Sequence, residues 1–501
     1  MIELLGQLGQ GFEAALTLGN VFYCLVGVTL GTLIGVLPGL GPVATIAMLL
    51  PVTYGLPPLS ALIMLSGIYY GAQYGGSTTA ILVNLPGESS SVVTCLDGYA
   101  MARQGRAGTA LGVAALGSFF AGTFATMLIA VLATPLSEIA LKFGPAEYFS
   151  LMVLGLVAAV VLASGSLLKA IAMTLLGLLI GIVGTDVNSG IERFSFGIPE
   201  LSDGFDFVIV SMGLFGIAEI IHNLEKNESR QIFTSNVGRL WPGREDFRRS
   251  WKPVMRGTFL GSILGVLPGG GAVLSSFASY SLEKKLSDDP SRFGQGAVEG
   301  VAGPESANNA GAQTSFIPML TLGIPSNAVM ALMVGAMMIH GIVPGPQVMT
   351  ERPELFWGLI ASMWIGNALL VLLNLPLIGI WVRLLKVPYR LLYPAILLFC
   401  GIGIYSVNQS AVDIAFAVGF GALGYLFIKI GCEPAPLLLG YVLGPLMEEN
   451  LRRALLLARG DATVFVSRPL SATLLALAVL LIVVVALPAV RKTREVAFQE
   501  D

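Results

Sequence analysis

The chain has 501 residues, 55% of them hydrophobic and only 12% charged, with a formal net charge of -3. Soluble domains are nearer a quarter charged, so a mean hydropathy of +0.80 excludes an ordinary water-soluble fold and indicates an all-α polytopic membrane protein. Two histidines (His222, His340) and four dispersed cysteines (Cys24, Cys95, Cys400, Cys432) have no metal-type spacing, so no metal, cofactor or catalytic residue is expected, and no nucleic acid among the partners.

The opening MIELLGQLGQGFEAAL lacks a basic n-region and reads as an interfacial helix over residues 1–18. The first apolar run, Val21–Leu37, ends in GTLIGVLPGLG (31–41), and a short apolar stretch, Val43–Leu50, follows. Proline removes a helical hydrogen bond and each glycine weakens the helix, and in hydrocarbon such backbone survives only where protein or a wet cavity covers it. Val21–Leu50 is therefore expected to be a re-entrant hairpin with its tip at Pro38, Gly39, Leu40 and Gly41. The polar run GGSTTAILVNLPGESSS follows, bringing Ser77, Thr78, Thr79, Asn84, Gly87, Glu88 and Ser89 into an apolar region.

Further spans are expected at Ala107–Ala133, Tyr148–Ala163 and Leu167–Val183, followed by the acidic loop Thr185–Asp206. Residues 225–256 form a basic linker, and then GSILGVLPGGG (261–271) repeats the first phrase 230 residues later. The expected second hairpin is Phe259–Tyr280, with its tip at Pro268, Gly269, Gly270 and Gly271. A second polar run, NNAGAQTSFIPMLTLGIPSN, carries Thr314, Ser315, Pro325, Ser326 and Asn327. Apolar runs Leu355–Ile380, Leu391–Tyr405 and Leu470–Ala489 and a tail over residues 491–501 complete the chain.

About 10–12 transmembrane helices plus the two hairpins are thus expected, in two repeats over residues 19–224 and 257–466, with a final helix over 467–490. The basic residues change sides between the copies: PVTYGLPP is uncharged where SLEKKLSDDPSRFG is charged, and Arg103 and Arg106 have no counterpart in MIHGIVPGP. Under the positive-inside rule that is the pattern of inverted-topology repeats, with the basic loops and the C-terminus cytoplasmic. Arg452, Arg453 and Arg459 break the rule, following a stretch expected to run outward. Asp97 is expected to pair with Arg103 or Arg106.

Broken helices expose amides that bind anions and carbonyls that coordinate Na⁺, so the two hairpin tips and two polar runs suit a small carboxylate carried by alternating access. Glu88 is the candidate for ion coupling, because an acid within the membrane is functional by default; the competing reading puts it in water at the cavity mouth. The hydroxyls compete likewise with bonding back to their own helices.

GVLPGLGPVATIAMLLP, YYGAQYGGSTTAILVNLPGE, LDGYAMARQGRAGTAL, SFGIPELSDGFDFVIVSMGLFGIAEI and GVLPGGGAVLSSFASYSLEKK resemble the large membrane subunit of the tripartite tricarboxylate transporters, over roughly residues 10 to 490. The resemblance implies a multi-pass secondary transporter of the bacterial inner membrane, driven by an ion gradient, with Na⁺ or H⁺ as coupling ion. It implies a small membrane subunit and a periplasmic solute-binding protein as partners, and leaves homodimerisation open. The alternatives are a passive organic-anion channel and an intramembrane hydrolase. The hydrolase needs a base beside a serine near GGST, and neither histidine lies in a matching motif.

Overall fold

Helices follow the apolar runs closely. The structure, a computed structural model, describes residues 2–37, 41–162, 166–186, 189–225, 237–267, 271–384 and 389–486. The first half contains α1 (Ile2–Ala15), α2 (Leu18–Val36), α3 (Pro42–Thr53), α4 (Pro58–Val83), α5 (89–103), α6 (Ala107–Ala140), α7 (Pro145–Leu162), α8 (Leu167–Gly181) and α9 (Phe207–Glu225). The second half contains α10 (Arg244–Gly265), α11 (Gly271–Leu286), α12 (Glu299–Thr314), α13 (Phe316–Leu322), α14 (Ala328–Ile339), α15 (Pro353–Asn374), α16 (Tyr389–Asn408), α17 (Ala411–Lys429) and α18 (Ala435–Leu457), and α19 (Pro469–Ala486) follows. Between α8 and α9, β1 (Gly184–Thr185) pairs antiparallel with β2 (Glu192–Arg193), Gly184 opposite Arg193.

Five of these helices, α2, α6, α9, α15 and α17, are long and apolar enough to cross a bilayer, and α3, α7, α8, α14 and α19 are shorter apolar helices. The chain is thus an all-α multi-pass membrane protein. The helices stop at Val36 and Gly265 and restart at Pro42 and Gly271, where the repeated phrase interrupts them. Pro38, Gly39, Pro268, Gly269 and Gly270 lie outside the described residues.

Glycine spacing sets how the hairpin arms pack. On α2, Gly27, Gly31 and Gly35 lie against α4 so closely that a Cβ would come within 2.3–2.4 Å of the Met64, Ile68 and Ala72 carbonyl oxygens. On α10, Gly257, Gly261 and Gly265 meet the Gly303, Ala307 and Gly311 carbonyls of α12 at 2.2–2.4 Å. A glycine every fourth residue keeps one helix face bare, and bare faces let membrane helices approach backbone to backbone.

The halves also pack reciprocally. α6 of the first half lies on α12 of the second, and α15 of the second on α4 of the first. Likewise α8 packs on α18 while α17 packs on α9. The outgoing hairpin arms cross over in the same way: α3 meets α14, and α11 meets the start of α5.

One charge expectation changes, and several other charges find partners. Asp97 pairs with neither arginine: it is fully buried, Oδ1 accepts from the backbone N–H of Gly294, Gly296 and Ala297 at 2.7–2.9 Å, and Oδ2 accepts from the Tyr280 hydroxyl. Arg106 instead pairs with Asp246 at 2.7 Å. The linker expected over residues 225–256 becomes helical at Arg244, continuous with the hairpin arm, and its Arg249 and Arg256 pair with Glu299 and Glu283. Arg452, which offends the positive-inside rule, joins Arg193, Asp186 and Glu448 in a cluster of two cations and two anions.

Candidate functional site at the helix breaks

Both polar runs break their helices with the same backbone. Asn84 ends α4 in the left-handed region (φ 58°) and Gly323 ends α13 there (φ 75°). Four residues later Glu88 (φ -154°, ψ 164°) and Asn327 (φ -155°, ψ 177°) are extended; the Asn327 side chain caps the next helix by accepting from Met330 N, and the Glu88 backbone N–H donates to the Ser91 hydroxyl (3.4 Å). Residues 84 and 323, like 88 and 327, are 239 apart, whereas the GAQ triplets are 240 apart. The Ala72 and Gly311 carbonyls, against which Gly35 and Gly265 pack, are also 239 apart, so the triplets match one residue out of register with the packing.

At the first break, Thr79 donates to the carbonyls of Val36 (2.9 Å) and Gly35 (3.2 Å), the last turn of α2. Gly87 lies so close that a Cβ would sit 2.0 Å from the Gly35 oxygen. Hairpin arm and break are thereby held together. At the second break, Ser315 donates to Gly311 O (2.7 Å) and lies 3.3 Å from Gly265 O, the last turn of α10. Asn327 Nδ2 donates to Ser315 Oγ (3.1 Å), and Ser326 donates to Ser315 O (3.1 Å). A Cβ on Gly271 would stand 3.3 Å from Asn327 Nδ2, in a backbone with φ +42°. Thr314 bonds back to Ala310 O, and Pro325 is buried in the same break. Tyr69 of α4 is buried, and its ring lies 6.3 Å from that of Phe316 in α13.

Other expected residues stand apart. Asn84 and Ser89 are exposed, and Asn84 serves through its left-handed backbone. Thr78 bonds back to Tyr74 O and lines a cavity facing α6. Gly41 caps α3, and a Cβ there would meet nothing within 4 Å.

Glu88 sits in a web that spans both halves. Its carboxylate accepts from the Ser90 hydroxyl and from Asn308 Nδ2 of α12 (3.2 Å). Ser90 Oγ also lies 2.7 Å from Asn308 Oδ1 and 2.9 Å from the Gln73 amide. One hydroxyl proton cannot serve three acceptors, so the Gln73 amide is assigned with its nitrogen facing Glu88, donating to both carboxylate oxygens. A second carboxylate, Glu305 of α12, is fully buried beside it and accepts from the hydroxyls of Ser77 and Thr94. Among the described residues, no Lys, Arg or His forms an ion pair with either carboxylate.

Ser90 and Asn308 stand within the two polar runs that the sequence singles out, whereas Glu305, Gln73 and Thr94 are not among the expected site residues. One signal for Glu305 was available: it is the lone charged residue between Glu299 and Glu351. Gln73 serves there only as a repeat landmark.

Two broken helices, one from each half, with a half-buried Glu88 and a buried Glu305 facing hydroxyls and amides, fit a polytopic membrane protein of the transporter class. The chain belongs to the tripartite tricarboxylate transporter TctA family, whose model matches residues 21–439. It is 61% identical, over the full length of both chains, to an uncharacterized 52.8 kDa protein in the TAR-I ttuC' 3' region of Agrobacterium vitis. It is 63% identical over 241 residues to an uncharacterized protein in the TAR-II ttuC' 3' region of the same organism, covering all of that protein and 48% of this chain. No solved structure matches.

Proposed function

We propose that the chain is the permease subunit for ion-gradient-driven uptake of a small carboxylate, a tricarboxylate or related organic acid, across the bacterial inner membrane. The carrying observation is the pair of matching breaks, with Asn84 and Gly323 left-handed and, four residues on, Glu88 and Asn327 extended where each helix restarts. Helix restarts present amide N–H groups to an anion without a fixed cation, so a carboxylate is held weakly enough to leave each cycle. Reciprocal packing of the halves fits a two-fold relation between the repeats, the swap of basic loops favours an inverted one, and Glu88 and Glu305 supply the acids that ion coupling requires. By its family the chain works with a small membrane subunit and a periplasmic solute-binding protein, which delivers the carboxylate.

The test is uptake by the complete three-component system in proteoliposomes. Carboxylate should accumulate above its external concentration while an ion gradient is imposed, and accumulation should vanish when the gradient is collapsed. Simple equilibration, indifferent to the gradient, would instead identify a passive channel.

A further inference from the structure

Between β2 and α9 the chain turns two phenylalanines outward on a strained backbone. Phe194 (φ 55°) and Phe196 (φ 52°) both lie in the left-handed region, where a bulky side chain is an outlier. Such strain persists only where the surroundings over-determine it, and it gathers at functional sites. Here the surroundings are firm. β1 and β2 pair beneath the tip, and Asp186 N donates to Ile191 O at 2.9 Å. Arg193 is tied to Glu448, and Arg452 ties Asp186 to that same carboxylate. Ser195, between the two rings, is turned inward and is 6% exposed. Its hydroxyl donates to Glu192 (2.7 Å), and its carbonyl accepts from Ile198 N (2.9 Å). The rings are left outside, Phe194 52% and Phe196 85% exposed, with Ile191 and Ile198 also exposed.

What covers such a tip follows from where it stands and from its charge. α9, long and apolar enough to cross a bilayer, runs from the end of this loop to Glu225, and the basic stretch beyond returns Asp246 to Arg106. Under the positive-inside rule that basic face is cytoplasmic, so the loop lies on the opposite face. From residue 184 to 206 Arg193 is the lone cation, against Asp186, Glu192, Glu200, Asp203 and Asp206. Arg193 is already paired, whereas Glu192, Glu200 and Asp203 stand exposed. Anionic headgroups repel such a rim. Membrane-interface belts are built from Trp and Tyr, and the loop has neither. An aromatic centre inside a polar rim is instead the make-up of a protein–protein interface.

We infer that Phe194 and Phe196 are the anchor by which the soluble solute-binding protein docks on the outer face, both rings entering an apolar cleft with a basic rim. This rests on the three-component reading above and gives it a place of contact. The braced backbone holds both rings in place before the partner arrives, so little freedom is lost on docking. Glu448, at the base of the tip, belongs to α18, which packs on α14, the helix that starts at the second break. A partner seated on the tip therefore bears on a helix of the site.

The experiment titrates fluorescently labelled solute-binding protein, with citrate present as the tricarboxylate probe, onto proteoliposomes holding both membrane subunits. Wild type should bind saturably. Phe194→Asn with Phe196→Asn removes both rings but keeps a residue type that tolerates the left-handed backbone. That double variant should keep its melting temperature in detergent and raise the half-saturating concentration about tenfold or more. Glu200→Lys with Asp203→Lys should raise it several-fold, by an amount that shrinks as salt is added. If the ring variant melts early, the lysine pair decides. Phe196→Trp, its emission read as the difference from wild type, should shift to shorter wavelength when the binding protein is added, and brominated lipid should not quench it. Half-saturation unmoved in both double variants, quenching of that probe by brominated lipid, or loss of the small membrane subunit from the variant complex overturns this docking surface and leaves the transporter reading standing. Absence of binding by wild type overturns the three-component reading itself.

Discussion

Asn308 of the second half donates to the carboxylate of Glu88 in the first at 3.2 Å, joining residues 220 apart across the centre of the molecule. The Ser90 hydroxyl and the Gln73 amide close the same web. Removing one donor from a carboxylate in such surroundings costs about 1.5–3 kcal/mol, and Asn308→Ala should accordingly slow uptake by about tenfold or more. Glu88→Gln should be at least as damaging, because it removes the charge that the donors surround. Both proteins should reach the membrane at wild-type levels on immunoblots. Normal uptake in both variants would remove Glu88 from the site.

The two asparagines at the breaks should behave differently. Asn327 caps α14 through Met330 N (3.0 Å) and also holds Ser315, so Asn327→Ala loses a cap of about 1 kcal/mol and a site contact together. Uptake should fall sharply with only a small drop in melting temperature. Asn84 is exposed with φ 58°, a conformation that costs an ordinary residue about 1–2 kcal/mol. Asn84→Gly should therefore retain uptake, and Asn84→Ala should lose stability first. An uptake loss in Asn84→Gly as large as that in Asn327→Ala would show that the Asn84 side chain touches substrate.

Gly31 and Gly261 test the packing of the hairpin arms. A methyl group at either would lie 2.4 Å from Ile68 O or 2.2 Å from Ala307 O, and backbone cannot step aside as a flexible side chain can. Gly31→Ala and Gly261→Ala should each destabilise the protein by about 1–3 kcal/mol, read as a lower melting temperature in detergent. Gly19, near the start of the same α2, has open space around it, and Gly19→Ala should be neutral or stabilising by up to about 1 kcal/mol. Equal effects at Gly19 and Gly31 would contradict the close approach.

Much of this architecture is legible in the residues because membranes simplify the code: uninterrupted apolar runs must be helices, and Gly-Pro interruptions must be covered. Hence Ala107–Ala133 and Leu167–Val183 lie within two residues of observed helices at most ends, although α6 extends through Pro135 to Ala140. Polar runs drew attention to Ser315 and Asn327, which meet, but equally to Ser89, which faces outward. Periodicity has no strength in helices buried all round, so nothing in the spacing says which hydroxyl faces which. Asp97 is the clearest case. Sequence proximity suggested Arg103 or Arg106, whereas its partners are backbone groups almost 200 residues away, invisible to any reading by side-chain charge.

Those partners make Asp97 a structural clamp. Its Oδ1 gathers three N–H groups from the loop joining α11 to α12, and Gly300 approaches so closely that a Cβ would fall 2.2 Å from Oδ2. A single carboxylate thus holds the first half to the loop that feeds α12, the helix bearing both Glu305 and Asn308. Asp97→Ala strands the buried Gly296 and Ala297 amides, and the loss should be on the order of 3 kcal/mol. Asp97→Asn keeps an acceptor oxygen but gives up the charge, so it should fall between Ala and wild type. Tyr280→Phe removes only the bond to Oδ2 and should cost about 1 kcal/mol. Thermal unfolding in detergent ranks the series. If Asp97→Ala and Tyr280→Phe proved equal, the backbone clamp would carry no weight, and the loop would have to be held by its other contacts, such as the bond from Gln104 to Gln295 O at 2.7 Å.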